Sequence, residues 1–355
     1  MRCAARSLPF SMKALVETEL RRLLDENIIY AVENPTMSAP IVPVVKQAGA
    51  IRPIRICGDY SQTLNKIIDS DQYKIPKMEE ILEKLPGAQV YSVLDLQDAY
   101  LQVSLSEESQ HLTCISTHLG HFAFRKLQFG ISAAPLIFQE IMEKILQGIK
   151  NVAVFQDDTV IGAPNDEVHD ETVLEVRRRL QQYGFKINDK KSQCKLKSVK
   201  FLGFILSNGK MLPDPDRLKA FKEMPVPTNK EQLKSALCSL RHYGVFCKDF
   251  SAIARPLYAL LRKDAHWNWS TECEKSFKML LAVIPNGEIT CYDLNKPLFV
   301  TSDASKDGLG FVLSHDLEQK QIVWLGSRVL SQAEANYSNI EREALSVVEA
   351  VKYFH

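Results

Sequence analysis

Apolar residues recur at spacings of three and four over residues 12–29, and this period predicts an amphipathic helix. The apolar positions are Leu15, Val16, Leu20, Leu23, Leu24 and Ile28. Pro35 and Pro40 are expected to stop the helix. Two apolar runs at residues 41–46 and 54–57, joined by Ala48-Gly49-Ala50, predict two strands and a turn. Further strands are predicted at residues 90–94 and 122–127.

The middle of the chain alternates between helix and hairpin patterns. Pro135 suits the first turn of a helix, where its missing N–H costs nothing. One apolar stripe follows it, made of Phe138, Ile141, Met142, Ile145 and Leu146. Apolar runs at 152–154 and 160–161 predict a hairpin, and residues 171–183 predict a helix that Gly184 ends.

The last third of the chain begins with four closely spaced prolines, Pro213, Pro215, Pro225 and Pro227. They predict a boundary region with little helix or strand. Helices are predicted within 230–263 and at 272–284, the second with Thr271 and Glu274 as a capping box. Three strands at 298–302, 309–314 and 321–327 precede a final helix, which starts at Ser338, has Glu341 as its capping-box glutamate and runs to the last residue.

Length, charge and cysteine content narrow the number of domains and the class of protein. The 355 residues are enough for two or three domains, and a net charge of +1 indicates no global attraction to nucleic acid. The eight cysteines form no Cys-x-x-Cys pair, which favours reduced thiols in an intracellular protein of the cytoplasm, the nucleus or both. No signal-peptide core and no apolar run near the roughly 20 residues of a membrane span are present, so a soluble enzyme with no membrane partner is expected.

The chemistry concentrates at Asp157 and Asp158, which lie between the two apolar runs of the predicted hairpin. Neighbouring carboxylates repel each other and resist burial, and a divalent metal resolves that conflict. The pair therefore predicts a magnesium site on a hairpin. Asp95 ends a predicted strand about sixty residues earlier. Taken alone it is more often a cap or turn residue, but the nearby pair makes a shared three-carboxylate site the favoured interpretation.

The densest positive stretch of the chain lies at 186–200, with lysines at Lys186, Lys190, Lys191, Lys195, Lys197 and Lys200. On charge alone a solvated face and a phosphate-facing surface are equally good interpretations.

Four segments occur in a fixed order and carry a resemblance: Asp95-Leu96-Gln97-Asp98-Ala99-Tyr100, Leu127-Gln128-Phe129-Gly130-Ile131-Ser132-Ala133-Ala134-Pro135, Phe155-Gln156-Asp157-Asp158 and Val199-Lys200-Phe201-Leu202-Gly203. Together they resemble the successive motifs of reverse transcriptases from Ty3/gypsy-type long-terminal-repeat retrotransposons, over nearly the whole chain. The resemblance implies an α+β fold: fingers and palm with an antiparallel palm sheet over residues 1–210, a helical thumb and connection over 211–290, and a partial ribonuclease H-like α/β unit over 291–355.

The resemblance also implies residue roles. Asp95, Asp157 and Asp158 would bind two Mg²⁺ ions, with Mn²⁺ as a possible substitute. Nucleotide binding would fall to Lys46, Arg55, the backbone N–H groups of Asp98 and Ala99, Tyr100, Phe129, Gly130 and Lys191. Tyr100 would stack under the sugar and exclude a 2′-hydroxyl, a role that its bulk supports independently. Phe201, Leu202 and Gly203 would grip the primer end.

Two positions depart from the family pattern. Gln156 stands where relatives have Ile, Val or Met, so rate or fidelity is expected to differ. Gln128 stands where relatives have proline, which is expected to loosen the loop before Phe129 and weaken nucleotide binding. Neither change removes an expected metal ligand.

The C-terminal residues resemble the ribonuclease H domain of the same elements, with Asp303 and Glu343 as metal ligands. Helical geometry alone does not separate Glu343 from Glu341, since both flank an apolar stripe of Ile340, Ala344, Val347, Val348 and Val351. The family's further aspartates are missing before His355, so cleavage of RNA–DNA hybrids is expected to be weak or absent. The chain is expected to be part of a larger polyprotein.

Three functions follow from this pattern. The first is an RNA-directed DNA polymerase, with an RNA template, a DNA or RNA primer, an RNA–DNA hybrid and dNTPs as partners. The second is a catalytically decayed remnant that only binds nucleic acid, which Gln128, Gln156 and the missing aspartates favour and the intact Asp95, Asp157 and Asp158 oppose. A nuclease that acts only through the C-terminal unit is the least favoured, because its site is incomplete.

Overall fold

The computed structural model describes residues 1–45, 54–68, 74–293, 295–306 and 308–355, with Asn286 for its backbone alone. Helices span Phe10–Asp25 (α1), Met78–Glu83 (α2), Glu107–Gln110 (α3), Ala134–Leu146 (α4), Asp166–Gln182 (α5), Pro215–Lys222 (α6), Lys230–His242 (α7), Phe250–Leu260 (α8), Thr271–Val283 (α9) and Asn339–Phe354 (α10). Strands span Ile29–Val32 (β1), Ala39–Val45 (β2), Ile54–Gly58 (β3), Val90–Asp95 (β4), Ile115–Thr117 (β5), Gly120–Phe124 (β6), Val152–Phe155 (β7), Asp158–Ala163 (β8), Gln193–Leu196 (β9), Ser198–Phe201 (β10), Phe204–Ser207 (β11), Lys210–Pro213 (β12), Ile289–Thr290 (β13), Phe299–Ala304 (β14), Gly308–Ser314 (β15) and Ile322–Val329 (β16).

The chain forms two compact units, of which the first comprises Met1–Lys77, Val93–Val160 and Glu171–Gln193. Its five-stranded sheet has the order β1-β6-β5-β2-β3, with β2 and β5 parallel and the other neighbours antiparallel. A second sheet, of order β7-β8-β4-β9, carries the acidic residues at one end of its central strands. The alternation of apolar residues therefore gives strands where it predicts them, including the hairpin of β7 and β8.

The second unit comprises Met78–Ser92, Ile161–Asp170 and Cys194–His355. The antiparallel strands β10 to β13 form one sheet in chain order, and β14 to β16 form another. In the chain, helices α7, α8 and α9 lie between strands β12 and β13 of the first of these sheets. Helix α10 packs on β14 and β15. Small residues make that packing close: Ser346 donates a hydrogen bond to Ser302 at 3.0 Å, and Ala350 is fully buried.

Two predictions are wrong: the position at which the first helix ends, and the lack of helix and strand in the proline region. The helix predicted at 12–29 ends at Asp25, because Asn27 turns the chain at a φ of 55° and Ile29–Val32 pairs with β6 instead. The proline region is not structureless: β12 occupies Lys210–Pro213, and α6 begins at Pro215 with Asp214 as its cap.

Two predictions about helix termini and faces also need correction. Helix α9 is capped by Ser270, which accepts a hydrogen bond from the Cys273 N–H at 3.2 Å, and not by the predicted box of Thr271 and Glu274. The capping box of Ser338 and Glu341 on α10 is confirmed. However, the predicted apolar stripe of α10 does not face its core, since the exposed fraction is 82% at Ile340 and 54% at Val351. The buried face instead carries Arg342, Ser346 and Ala350.

All eight cysteines are free thiols. In the described part of the chain, the search for a helix with the length and apolarity needed to cross a membrane finds none.

Candidate active site

The acidic pair lies at the tight turn between β7 and β8. Gln156 and Asp157 form the turn, and Asp158 is the first residue of β8. Gln156 adopts a left-handed φ of 54°, which a residue with a side chain rarely occupies and which is costly without support from its surroundings. Backbone strain of this kind is common where a chain must aim functional side chains.

Strand β4 brings Asp95 to the same end of the sheet. The Gln89 N–H, just before β4, donates to the carbonyl of Ala163 at the end of β8. Since the start of β4 lies beside the end of β8, these neighbouring strands run antiparallel. Asp95, the last residue of β4, therefore lies beside the acidic turn that leads into β8.

The electrostatics agree with this placement. Burial, followed by the negative charges of Asp157 and Asp95, raises the pKa of Asp158 from 3.8 to about 6. Burial also raises the pKa of Asp95, and the charges of Asp157 and Asp98 add to this effect, while Lys191 lowers it. The carboxylates thus act on one another through a partly desolvated space. A positive charge there would be strongly favoured.

These oxygen donors suit Mg²⁺ or Mn²⁺, which bind carboxylates in preference to softer ligands. Among the described residues, however, no set of three Asp, Glu, His or Cys groups has the arrangement of a metal centre. Mutual repulsion between like charges opposes a closer approach of the three carboxylates. The donor chemistry therefore fits a divalent cation, and the three-carboxylate site stays a prediction.

One residue that supports the turn was not among those expected from the sequence. Gln139, on α4, is fully buried and holds both sides of the hairpin. Its Oε1 accepts the Gln156 N–H at 2.6 Å, and its Nε2 donates to the Val154 carbonyl at 2.9 Å and to Glu143 Oε1 at 2.9 Å. A buried amide whose donor and acceptor are both used fixes the backbone next to Asp157.

The segment at 186–192 fixes the other side of Asp95. The Asn188 N–H donates to the Asp95 carbonyl at 2.8 Å, and the Asp95 N–H donates to Ser192 Oγ at 3.1 Å. The Asn188 side chain also hydrogen-bonds the Asp95 carboxylate and lowers its pKa. Lys191 follows on the same short loop and is the nearby cation whose charge acts on Asp95 and Asp158. Asn188 and Ser192 were missed because polar loop residues carry no periodic signal.

Three of the expected nucleotide-binding residues lie together. The Arg55 guanidinium lies 3.9 Å above the Phe129 ring centre, and the Tyr100 and Phe129 rings are 4.8 Å apart. Tyr100 also packs edge-on against Phe138 at 5.3 Å and is 8% exposed. Burial raises the pKa of Tyr100, to which the charge of Asp157 adds. Arg55, Phe129 and Tyr100 thus form one wall near the acidic turn.

Gly130 must be glycine for steric reasons. Its φ is +101°, and an added Cβ would lie 2.1 Å from the Gly58 carbonyl oxygen. Asn65 holds this loop from the other side, because its amide donates to the Gly130 carbonyl and accepts the Ser132 N–H, both at 2.9 Å. Asp98, also left-handed at a φ of 47°, precedes Ala99 in the turn after Asp95.

Gln128 is 1% exposed and contributes to the core beneath this loop. Its Nε2 donates to the Tyr60 hydroxyl, which in turn donates to the Thr113 carbonyl at 2.7 Å. The side chain therefore gives the loop a specific buried contact, although Gln128 Oε1 has no hydrogen-bond partner among the described residues. Weaker nucleotide binding at this departure from proline stays a prediction. Lys46 lies outside the described residues.

The expected primer-gripping residues form the turn between β10 and β11. Phe201 pairs with Phe204, and the two central residues have φ values of 50° at Leu202 and 82° at Gly203. Two successive left-handed residues define the mirror-image turn that suits a two-residue hairpin. On the chain before this turn, Lys200 is paired with Asp214 at 3.2 Å and with Asp216, and Lys195 with Asp170 at 2.6 Å. These two lysines of the basic stretch are therefore engaged within the protein.

Asp303 and Glu343 lie on neighbouring elements, β14 and α10. They are one and three residues, respectively, from the contact of Ser302 with Ser346. Glu343 lines a cavity of about 290 Å³ with Ala304, Ser305, Lys306, Asn339 and Arg342, and Asp303 is not among its lining residues. Instead, the charge of Asp303 helps to raise the pKa of Asp249, for which burial is the main cause. The paired-ligand role of Asp303 and Glu343 stays a prediction.

Two family models match the chain. One is described as reverse transcriptase (RNA-dependent DNA polymerase) and matches residues 44–206; the other, an RNase H-like domain found in reverse transcriptase, matches residues 269–355. The Pol polyproteins of the Drosophila melanogaster transposons 297 and gypsy are each 31% identical, over 96% and 95% of this chain. The Schizosaccharomyces pombe transposon Tf2-3 polyprotein is 28% identical over 98%. The chain spans only 32%, 34% and 26% of these three relatives.

Solved structures show the same fold. The foamy viral protease-reverse transcriptase with double-stranded DNA matches with a TM-score of 0.89 and 20% identity, over 99% of this chain and 62% of that one. The same viral protein with an RNA/DNA hybrid matches with a TM-score of 0.85 and 20% identity, over 99% and 47%.

Proposed function

Because this chain belongs to the reverse transcriptase family of Ty3/gypsy-type retrotransposon polyproteins, we propose that it is an RNA-directed DNA polymerase that extends a primer with dNTPs. The observation that carries the proposal is the convergence of Asp95 and the Asp157–Asp158 turn at one end of a sheet, beside the wall of Arg55, Phe129 and Tyr100. A site for cations thus lies near a site for a nucleotide.

Asp95, Asp157 and Asp158 would hold Mg²⁺, or Mn²⁺ in its place. Bound there, the two ions would supply activation of the primer 3′-hydroxyl and neutralisation of the leaving pyrophosphate. The raised pKa of Asp158 supports this assignment, since a buried carboxylate next to like charges binds a cation at the expense of a proton. Lys191 adds a positive charge close to Asp95 and Asp158, where it meets the triphosphate of the bound nucleotide.

The wall of Arg55, Phe129 and Tyr100 orients the nucleotide. The stack on Phe129 holds the Arg55 guanidinium in place, so its N–H groups meet the triphosphate without first losing side-chain freedom. Tyr100, packed between Phe129 and Phe138, is too well supported to move aside, and its ring excludes a 2′-hydroxyl. Selection of dNTPs over rNTPs follows from this packing.

RNA template, primer and their hybrid are the proposed partners, held through their backbones and not through base sequence. Solved structures of the foamy viral enzyme with double-stranded DNA and with an RNA/DNA hybrid support this choice. The rest of a polyprotein is a further proposed partner, since the chain spans about a third of its relatives. Action within the cell is a proposal from cysteine usage alone.

Primer extension by the purified chain tests the proposal. On poly(rA)·oligo(dT) with Mg²⁺ and dTTP, the wild-type chain should lengthen the primer, and Asp157→Asn should not. Binding of the template–primer without extension would contradict the proposal and would favour the decayed, binding-only remnant. Extension that persists in Asp157→Asn would also contradict it, because the activity would then come from elsewhere.

A further inference from the structure

We propose that His169 is a positioning residue for Lys191, because His169 holds the buried hydroxyl of Ser92 that fastens β9 to β4. The inference rests on the proposed function, in which Lys191 meets the triphosphate of the bound nucleotide. It assigns a role to two buried polar side chains, His169 and Ser92, that the polymerase site itself does not use.

Strand β9 lies at the edge of its sheet, next to β4, and all four of its residues are exposed. Burial of apolar side chains therefore does not keep this strand in place, and polar contacts must set its position. At one end, Ser192 Oγ accepts the Asp95 N–H at 3.1 Å. At the other end, Ser92 Oγ accepts the Lys195 N–H at 2.9 Å.

Ser92 is fully buried, so its hydroxyl needs hydrogen-bond partners within the protein. Its oxygen accepts the Lys195 N–H, which leaves its own proton for His169 Nε2, 2.8 Å away. His169 is 1% exposed, and its Nδ1 lies 3.2 Å from Asp170 Oδ1. Every group is satisfied when the His169 Nδ1–H donates to Asp170 and Nε2 accepts the Ser92 hydroxyl.

The buried half of this arrangement provides the anchor for β9. Asp170 also pairs with the Lys195 ammonium at 2.6 Å, but their side chains are 58% and 45% exposed, so water weakens that contact. The bond between Ser92 and His169 is shielded from water and keeps the Ser92 oxygen turned towards the Lys195 N–H. Lys195 has a left-handed φ of 55°, which a residue with a side chain keeps only when its surroundings hold it.

The position of Lys191 follows from this anchor. Lys191 lies on the loop directly before β9, and its charge acts on Asp95 and Asp158. If the anchor at Lys195 is lost, β9 can shift on β4, and Lys191 shifts with it. The interaction of a single ammonium with nearby charges depends on its distance from them, so a shift of this kind weakens its contact with the triphosphate.

A double-mutant cycle in steady-state primer extension tests the coupling. Lys191→Ala should raise the dNTP KM about tenfold, and His169→Leu, which has a similar volume without the ring nitrogens, should raise it about fivefold. The double variant should match Lys191→Ala, because His169 acts through Lys191. His169→Gln keeps an acceptor for Ser92 and should stay within about twofold of wild type. Multiplied effects in the double variant, or an unchanged KM in His169→Leu, would overturn the inference.

His315→Leu is the matched control. His315 is a second buried histidine of the same unit, and its ring nitrogens contact the Pro297 carbonyl and the Asp293 N–H, each at 3.0 Å. The variant should lose stability in urea titration, as His169→Leu does, and leave the dNTP KM unchanged. A raised KM in His315→Leu would overturn the inference, because the KM would then report general destabilisation.

Amide hydrogen exchange separates a failure of this inference from a failure of the proposed function. In His169→Leu, the Lys195 and Asp95 amides should exchange at least about tenfold faster than in wild type, and in His315→Leu they should not. A chain that shows this exchange but extends no primer would refute the proposed function and still support the positioning of Lys191 by His169. Unchanged exchange in His169→Leu would overturn the inference, even in an active polymerase.

Discussion

Replacing Gln139 with methionine should uncouple the acidic turn from the helix beneath it. Methionine has a similar length and fills the same buried volume, so the packing of α4 should survive. The change removes the acceptor for the Gln156 N–H and the donor to the Val154 carbonyl. Val154 is 3% exposed, so water does not readily replace its lost partner, whereas Gln156 is only half-buried.

The magnitude follows from these two groups. A buried polar group without a partner costs about 1–3 kcal/mol, and a partly hydrated one costs less, so Gln139→Met should destabilise the fold by about 2 kcal/mol. The larger effect is on catalysis, because Gln156 then has no support for its left-handed backbone, and Asp157 follows it in the chain. A displacement of about 1 Å at a reacting centre lowers kcat by about 10²-fold, and we expect a loss of that order.

Urea titration and steady-state primer extension measure the two effects. The dNTP KM should change by less than about twofold, since the nucleotide wall does not depend on the turn. Gln147→Met, at the exposed end of the same helix, is the control and should match wild type in both assays. A Gln139→Met variant with the predicted loss of stability but an undiminished kcat would refute the reasoning, because the clamp would then support the fold without aiming Asp157.

Four other outcomes follow from the site. Asp158→Asn should raise the free energy of unfolding in metal-free buffer by about 1–2 kcal/mol, after allowance for solvent screening. The reason is that an ionised carboxylate with a raised pKa destabilises the folded wild-type chain, and asparagine has no charge. The gain over wild type should be complete above about pH 6 and vanish as the pH falls towards 4, and an equal gain at pH 4 in urea titrations would contradict this explanation. Tyr100→Ala should reduce the preference for dNTPs over rNTPs at least about tenfold in competition extension, while Tyr100→Phe keeps it. Arg55→Lys should raise the dNTP KM about tenfold, since lysine lacks the planar fork that stacks on Phe129; an unchanged KM would exclude that role. A labelled RNA–DNA hybrid should be cut weakly or not at all with Mg²⁺ or Mn²⁺, because Asp303 does not line the cavity that Glu343 lines; cleavage abolished by Asp303→Asn would contradict this expectation.

The predicted family and α+β fold class are confirmed, and the reason lies in local patterns. Two adjacent carboxylates between β-branched runs have few structural solutions other than a hairpin turn, and the turn between β7 and β8 is that solution. The capping box at Ser338 is equally local, since a serine and a glutamate three residues later satisfy each other's backbone groups. Such features need no knowledge of the rest of the chain.

What the sequence did not reveal depends on partners that are distant in the chain. Gln139 interrupts an apolar stripe as one polar residue, and only the packing of the hairpin on α4 makes it a buried clamp. The apolar stripe of α10 shows which residues share one face of the helix. Periodicity does not show which face packs on the sheet, and in the structure the packed face carries small residues such as Ser346 and Ala350. The helix was predicted to reach residue 29, but Ile29 begins a strand, because pairing of β1 with β6 outweighs the local preference.

The most direct test of the account is a structure of the chain with a template–primer, a non-hydrolysable dNTP and Mg²⁺. The expected result is ions bound by oxygens of Asp95, Asp157 and Asp158 at about 2.1 Å, with the triphosphate beside Arg55. An Asp95 carboxylate that binds no ion and points away from the acidic turn, with the nucleotide properly seated, would contradict it.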